Sequence, residues 1–292
     1  MKKFISLLLA LVMALSLVAC GNNNADANND TANDDQTPAE TVELTVFAAA
    51  SLTESLTAIG EKYMAENENE NENENVKINF NFDSSGKLYT QITEGAPCDL
   101  FISAAPKQMN QLDGTLKDDA DKNPDALDML VEGSRLDLLE NKVVLAVAEG
   151  NDKGIDSFDK LTELLKSGDV MLAIGNEDVP VGQYTKKIFA YYEIDEATIA
   201  EKLTYGSNVK EVTTAVSEGT VDCGIIYASD AYSAGLTVAA EATADMCGQV
   251  IYPAAVLNTS AQQEAAAAFL AYLQSAEASA EFEKVLFTPL SK

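Results

Sequence analysis

The chain has 292 residues, with 47 acidic against 19 basic side chains, no histidine and a formal charge of −28. Nucleic acid and anionic lipid surfaces would repel such a chain. Without histidine, imidazole general-base catalysis and most zinc sites are excluded, and the one arginine, Arg135, leaves little scope for bidentate clamping of an anion.

The chain opens with Lys2 and Lys3 followed by an apolar run from Phe4 to Val18. That run is too short to span a bilayer comfortably and reads as an export signal over residues 1–19. It ends in Leu17-Val18-Ala19-Cys20, which looks like a bacterial lipobox, so cleavage before Cys20 and lipid attachment to its sulfur are expected. Loss of Lys2 and Lys3 with the leader takes the charge from −28 to −30. Residues 20–41 are polar, acidic and almost free of large apolar side chains, which predicts a disordered tether. The protein is therefore expected outside the cytoplasmic membrane, held there by its lipid alone. Three further cysteines, Cys98, Cys223 and Cys247, have neither disulfide-framework nor metal-site spacing.

From Val42 onward, strand-like and helix-like segments alternate. Strands are predicted at 42–49, 76–82, 99–104, 142–148, 169–175, 223–229, 236–240 and 249–257. Helices are predicted near 52–65, 85–94, 106–113, 157–166, 181–192, 209–218 and 261–284. The alternation points to an α/β fold with mostly parallel sheets, in which ligands sit beyond the carboxyl ends of strands. The "ENENENENEN" run, Glu66 to Asn75, carries no apolar residue and is expected to be a solvated loop.

Four strand–helix junctions share one design. In "VFAAASLTESL" the strand gives way at Ser51 to a helix bearing Leu52, Leu56, Ile59 and Tyr63. In "FNFDSSGKLYTQI", Ser84 and Ser85 open the next helix. In "AIGNEDVPVGQYTKK", Pro180 suits a first helical position, and in "YGSNVKEVTTAV", Ser207 or Asn208 can cap a helix starting near Val209. Each junction taken singly is ordinary capping. Together, their unpaired N–H groups and hydroxyls could form an anion site without formal positive charge.

These blocks, with "GAPCDLFISA", "TVDCGIIYASDA" and "YPAAVL", occur in the order seen in molybdate-binding proteins of ABC importers, which the chain resembles from Val42 to Lys292. The resemblance implies a two-lobed (venus-flytrap, type II) periplasmic-binding-protein fold with a two-strand hinge. It implies capture of molybdate, with tungstate beside it, for delivery to a membrane permease and its ATPase. The binding residues it implies are Ser51, Ser85, Val181, Val209 and Tyr227, with Val181 and Val209 acting through their N–H groups. They would hold molybdenum only as its oxyanion, not as a bare cation. No cofactor, no nucleic acid and a monomeric protein are expected. The chain departs from the family at Cys98 and Val181, where smaller residues are usual, and in the Glu-Asn run. Lobe one is expected to take 42–135 and 249–292, and lobe two 136–248.

The chemistry of these positions agrees with the resemblance. They offer donors and no carboxylate, which suits a fully ionised anion such as molybdate or sulfate. Monohydrogen phosphate brings a proton that would find no acceptor. Sulfate is the alternative ligand. A remoter alternative is a serine–lysine acyl enzyme, because Ser84-Ser85-Gly86-Lys87 matches S-x-x-K. "KSG" at Lys166 and "SDA" at Ser229 echo the companion motifs, but in reversed order and without the asparagine. Arg135 is expected to pair with Glu132 or Asp137, away from the ligand.

Overall fold

The computed structural model describes residues 40–70 and 74–290, with side chains from 41 to 67 and from 75 to 290. The export signal, Cys20 and all but the end of the expected tether lie outside the described residues. Strands in the first half of the chain are β1 (Glu40–Ala49), β2 (Glu74–Asp83), β3 (Leu100–Ile102), β4 (Leu136–Asn141) and β5 (Val143–Val147). In the second half are β6 (Leu172–Gly175), β7 (Leu203–Gly206), β8 (Cys223–Tyr227), β9 (Thr237–Glu241), β10 (Val250–Val256) and β11 (Thr288–Pro289). They form two sheets, ordered β11-β4-β10-β3-β1-β2 and β7-β6-β8-β5-β9.

Each sheet has a parallel half and an antiparallel half, a departure from the mostly parallel sheets expected. In the first, β1 runs parallel to β2 and β3, while β10 runs antiparallel to β3 and β4. In the second, β6 runs parallel to β7 and β8, while β5 runs antiparallel to β8 and β9. The antiparallel strands follow from the chain's passage between sheets. It leaves the first after β4, enters the second at β5, and returns from β9 to β10, so two segments join the lobes. The two-lobed α/β architecture and its two-segment hinge are those of periplasmic binding proteins.

The first crossing falls at Lys142. Leu136–Asn141, assigned to the second lobe on sequence, is instead strand β4, paired with β10 in the first sheet. The strand's charged residues, Asp137 and Glu140, disguise it, but Leu138 and Leu139 are buried.

Helices cover both faces of each sheet. They are α1 (Thr53–Glu70), α2 (Ser85–Thr93), α3 (Pro106–Asn110), α4 (Phe158–Ser167) and α5 (Pro180–Tyr191), then α6 (Val209–Ser217), α7 (Ala228–Ser233), α8 (Ala244–Cys247), α9 (Gln263–Tyr272) and α10 (Ala276–Lys284). In β1, Leu44, Val46 and Ala48 join the main core beneath α1, whereas Phe47 faces the other way. Phe47 packs with Leu88 and Ile92 of α2 and Met109 of α3 in a second core. Strands buried on both faces read as continuous apolar runs, which is why "VFAAA" lacks alternation.

The described residues of the Glu-Asn run do not form the loop expected. The run's first half extends α1 to Glu70, and its end opens β2, where Glu74 and Asn75 pair with Glu40 and Thr41. Glutamate is a good helix former, and an edge strand needs only one neighbour, so neither extension requires apolar residues. The single helix expected over 261–284 is broken after Tyr272, and Ser275 caps α10 by accepting from Ala278 N–H at 3.1 Å. Among the described residues, no helix is long and apolar enough to cross a membrane. Cys98, Cys223 and Cys247 are buried and unbridged.

Candidate functional site

The carboxyl ends of the six parallel strands converge between the lobes. From the first sheet come the residues after β1, β2 and β3; from the second, those after β6, β7 and β8. A cavity of about 10 Å³ lies among them, lined by Ala49–Ser51, Ser84, Ser85, Ala104, Val179, Pro180, Val209 and Tyr227. One water needs roughly 10–15 Å³ and drug-sized ligands roughly 300–1,000 Å³, so this site admits a ligand of a few heavy atoms at most.

The five residues implied by resemblance are all buried, none more than 4 % exposed. Four of them, Ser51, Ser85, Val209 and Tyr227, line the cavity directly. Val181 is not on its wall, but its neighbours Val179 and Pro180 are, and it occupies the second position of α5.

Local sequence sets each junction. Ser84 caps α2, its hydroxyl accepting from Lys87 N–H at 3.4 Å, which leaves Ser85 as the first helical residue. Pro180 opens α5, where its missing N–H costs nothing. Asn208 caps α6 by accepting from Glu211 N–H at 3.1 Å, so Val209 is first. First-turn N–H groups have no intrahelical acceptor, and three such helix starts meet at this cavity. The first junction differs from expectation. Ala50–Leu52 is a single 3-10 turn, α1 begins only at Thr53, and the Ser51 side chain caps nothing. It meets Tyr252 Oη instead, at 2.9 Å.

The wall offers donors and no carboxylate. Ser85 Oγ already accepts from Ala104 N–H at 3.0 Å, so its own hydrogen is free to point elsewhere. Tyr227 Oη is buried with no hydrogen-bond partner among the described residues. Burial, with Tyr252 beside it, pushes the Tyr227 phenol well above its ordinary value, so it remains a donor. Buried polar atoms are rarely left unpaired, so this hydroxyl has a hydrogen bond to give to whatever fills the cavity.

Charged groups stand behind this neutral wall. The Lys87 ammonium is 2.9 Å from Ser207 Oγ of the other lobe and 3.4 Å from Asp83. It is thus engaged away from Ser84, whose hydroxyl is a helix cap, and the S-x-x-K serine and lysine do not pair. Lys210, next to Val209, bridges Glu54 of the first lobe at 2.7 Å and the buried Asp230 at 3.3 Å. Among the described residues, no group of acidic or cysteine side chains could hold a metal cation.

Arg135 lies outside the cavity, but not with the partners expected. It donates to Asp113 at 2.7 Å and to Asn110 at 2.6 Å, not to Glu132 or Asp137. Sequence reading also missed Tyr252, although a signal was available. A tyrosine directly before a proline inside an apolar strand marks a bulge, and the β10–β4 register shifts at Tyr252/Pro253.

A family model described as bacterial extracellular solute-binding protein matches residues 44–287. YvgL of Bacillus subtilis, provisionally named an ABC transporter substrate-binding lipoprotein, is 31% identical over 98% of each chain. The molybdate-binding protein ModA of Escherichia coli is 32% identical, over 94% of this chain and 95% of that one. Among solved structures, the periplasmic molybdate-binding protein of Azotobacter vinelandii superposes with a TM-score of 0.68 at 19% identity, covering 84% of this chain and 98% of that one. The sulfate-binding protein SubI of Mycobacterium tuberculosis gives 0.63, also at 19%, covering 85% and 87%. At such identities these two likenesses speak for the fold alone, and the fold serves more than one anion.

Proposed function

Because the chain belongs to the bacterial extracellular solute-binding proteins, we propose that it captures molybdate, and tungstate with it, outside the cytoplasmic membrane and hands it to an ABC importer. Ser51, Ser85, Tyr227 and the N–H groups of Val181 and Val209 hold the anion in this reading. The permease and ATPase of the importer are its partners, it acts as a monomer, and lipid on Cys20 tethers it to the membrane.

The observation that carries the reading is the cavity wall: hydroxyl and N–H donors, an unpartnered Tyr227 hydroxyl and no carboxylate. A fully ionised tetrahedral anion satisfies every donor. A hydrogen phosphate places its own proton against another donor and loses a hydrogen bond. The molecule's −28 charge does not oppose this, since charges beyond the ~8 Å screening length at physiological salt are weak beside dipoles in contact. A solute-binding family and a Lys87 turned toward Ser207 both speak against acyl-enzyme chemistry.

Calorimetric titration of molybdate, tungstate, sulfate and phosphate into the purified protein tests the proposal. Molybdate and tungstate should bind comparably and sulfate far more weakly. Sulfate affinity equal to molybdate would reassign the protein to sulfate capture.

A further inference from the structure

Behind Ser51 runs a chain of side-chain hydrogen bonds leading to the hinge. Ser51 Oγ lies 2.9 Å from Tyr252 Oη, Tyr252 Oη 3.3 Å from Asn141 Nδ2, and the same Nδ2 2.9 Å from Ser229 Oγ in the other lobe. All four residues are buried. The direction of the chain follows from its Asn141 end. Asn141 Oδ1 accepts from Lys142 N–H at 2.8 Å, which fixes the amide so that its NH2 faces the tyrosine and Ser229. An amide NH2 can only donate. Tyr252 Oη therefore receives a hydrogen from Asn141 and must place its own on an acceptor. Ser51 Oγ, at 2.9 Å, is the acceptor at hydrogen-bond distance, with the Tyr227 hydroxyl also beside Tyr252. A serine oxygen that accepts from Tyr252 turns its hydrogen away from the phenol.

We propose that Tyr252 and Asn141 are positioning residues that lock the Ser51 hydroxyl as a donor toward the cavity, making the site selective for anions that carry no proton. This rests on the reading of Ser51 as an anion ligand. A free serine hydroxyl can rotate and accept a proton from a hydrogen phosphate. A hydroxyl held by the one-way chain can do so only by turning its own hydrogen in a third direction, where no acceptor for it is found among the described residues. Asn141 ends β4 at the first lobe crossing and donates to Ser229, so the lock is complete only when both lobes are in place.

The test compares three anions at mildly alkaline pH: molybdate, sulfate and phosphate, the last chiefly a dianion that still carries one proton. Tyr252→Phe keeps the ring and removes the relay. Molybdate and sulfate should weaken together by roughly three- to tenfold, the worth of one neutral hydrogen bond. Phosphate should hold or improve, narrowing the molybdate-to-phosphate ratio while the molybdate-to-sulfate ratio stays fixed. Asn141→Ala keeps the phenol but removes the donor that sets direction, and it should narrow the same ratio if Tyr252→Phe does not fold. Parallel weakening of all three anions would overturn the proposal and make Tyr252 a packing residue. A wild-type protein that binds none of them would instead defeat the anion reading beneath it.

Discussion

Ser51 bonds to Tyr252 Oη and is proposed to bond to the anion, and replacing it tests both. Ser51→Ala keeps the backbone N–H but removes one donor to an anion, a loss of about 1.5–3 kcal/mol, or roughly ten- to a hundredfold in affinity. It also takes from the buried Tyr252 hydroxyl its partner at 2.9 Å, which should cost the fold about 1–3 kcal/mol. Titration and thermal melting would read the two effects; undiminished molybdate affinity would remove Ser51 from the site. Asp230 sets a second residue-scale expectation. Burial chiefly raises its pKa from the ordinary 3.8 to about 6, against the pull of Lys210 and with a further push from Glu54. The folded chain then holds a proton that the unfolded chain releases, so this residue's contribution to stability falls as pH rises from about 4 to about 6. The change is on the order of 3 kcal/mol. Glu211 and Asp113 are shifted the opposite way, and their gain in stability lies at lower pH, complete by about their ordinary values of 4.5 and 3.8. Subtracting the denaturation profile of Asp230→Asn should isolate the Asp230 change. A difference that is flat from pH 4 to pH 6 would mean Asp230 is ionised throughout.

At the scale of elements, three of the four helix starts at the cavity stand where sequence places them, because local chemistry fixes them. Ser84 and Asn208 are side-chain caps, and Pro180 is a first-turn residue. The fourth was misplaced by two residues because "AAAS" reads equally as a helix start or as a tight turn. Gly182 shows why α5 can seat so close to its sheet: a Cβ there would stand 2.3 Å from the carbonyl oxygens of Gly175 and Asn176. Elements held by pairing alone were not legible. Strand β4 mixes charge with apolar residues, β7 and β11 are only four and two residues long, and it is a neighbouring strand that makes each of them a strand. The five residues proposed to hold the anion came from the family resemblance; four of them sit at such junctions, and all five are buried. The wiring behind them was not legible: Ser51 and Tyr252 are 201 positions apart and Asn141 and Tyr252 are 111 apart, and no local pattern announces a contact between hydroxyls.

For the whole molecule, the proposed ligand capture depends on how closely the lobes approach, and at Gly86 backbone meets backbone across them. Its N–H donates to the Asp178 carbonyl of the opposite lobe at 3.0 Å, and a Cβ at Gly86 would lie 2.3 Å from that same oxygen. The atom in the way is backbone, so it cannot swing aside as a side-chain tip could. Lys87 with Ser207 and Lys210 with Glu54 also join the lobes, but through long side chains that can adapt. Gly86→Ala should therefore hold the lobes apart by more than those contacts can span, while each lobe keeps its own core. Alanine is the better helix former by up to about 1 kcal/mol, so the protein without anion should melt no lower than wild type. Molybdate affinity should fall at least tenfold, a loss of about 1.4 kcal/mol or more, because first-lobe and second-lobe donors no longer reach one anion together. Small-angle scattering with and without molybdate would show whether the variant still compacts. If Gly86→Ala binds and compacts like wild type, the Gly86–Asp178 contact does not limit closure, and the site must tolerate a wider separation of its halves than the present geometry allows.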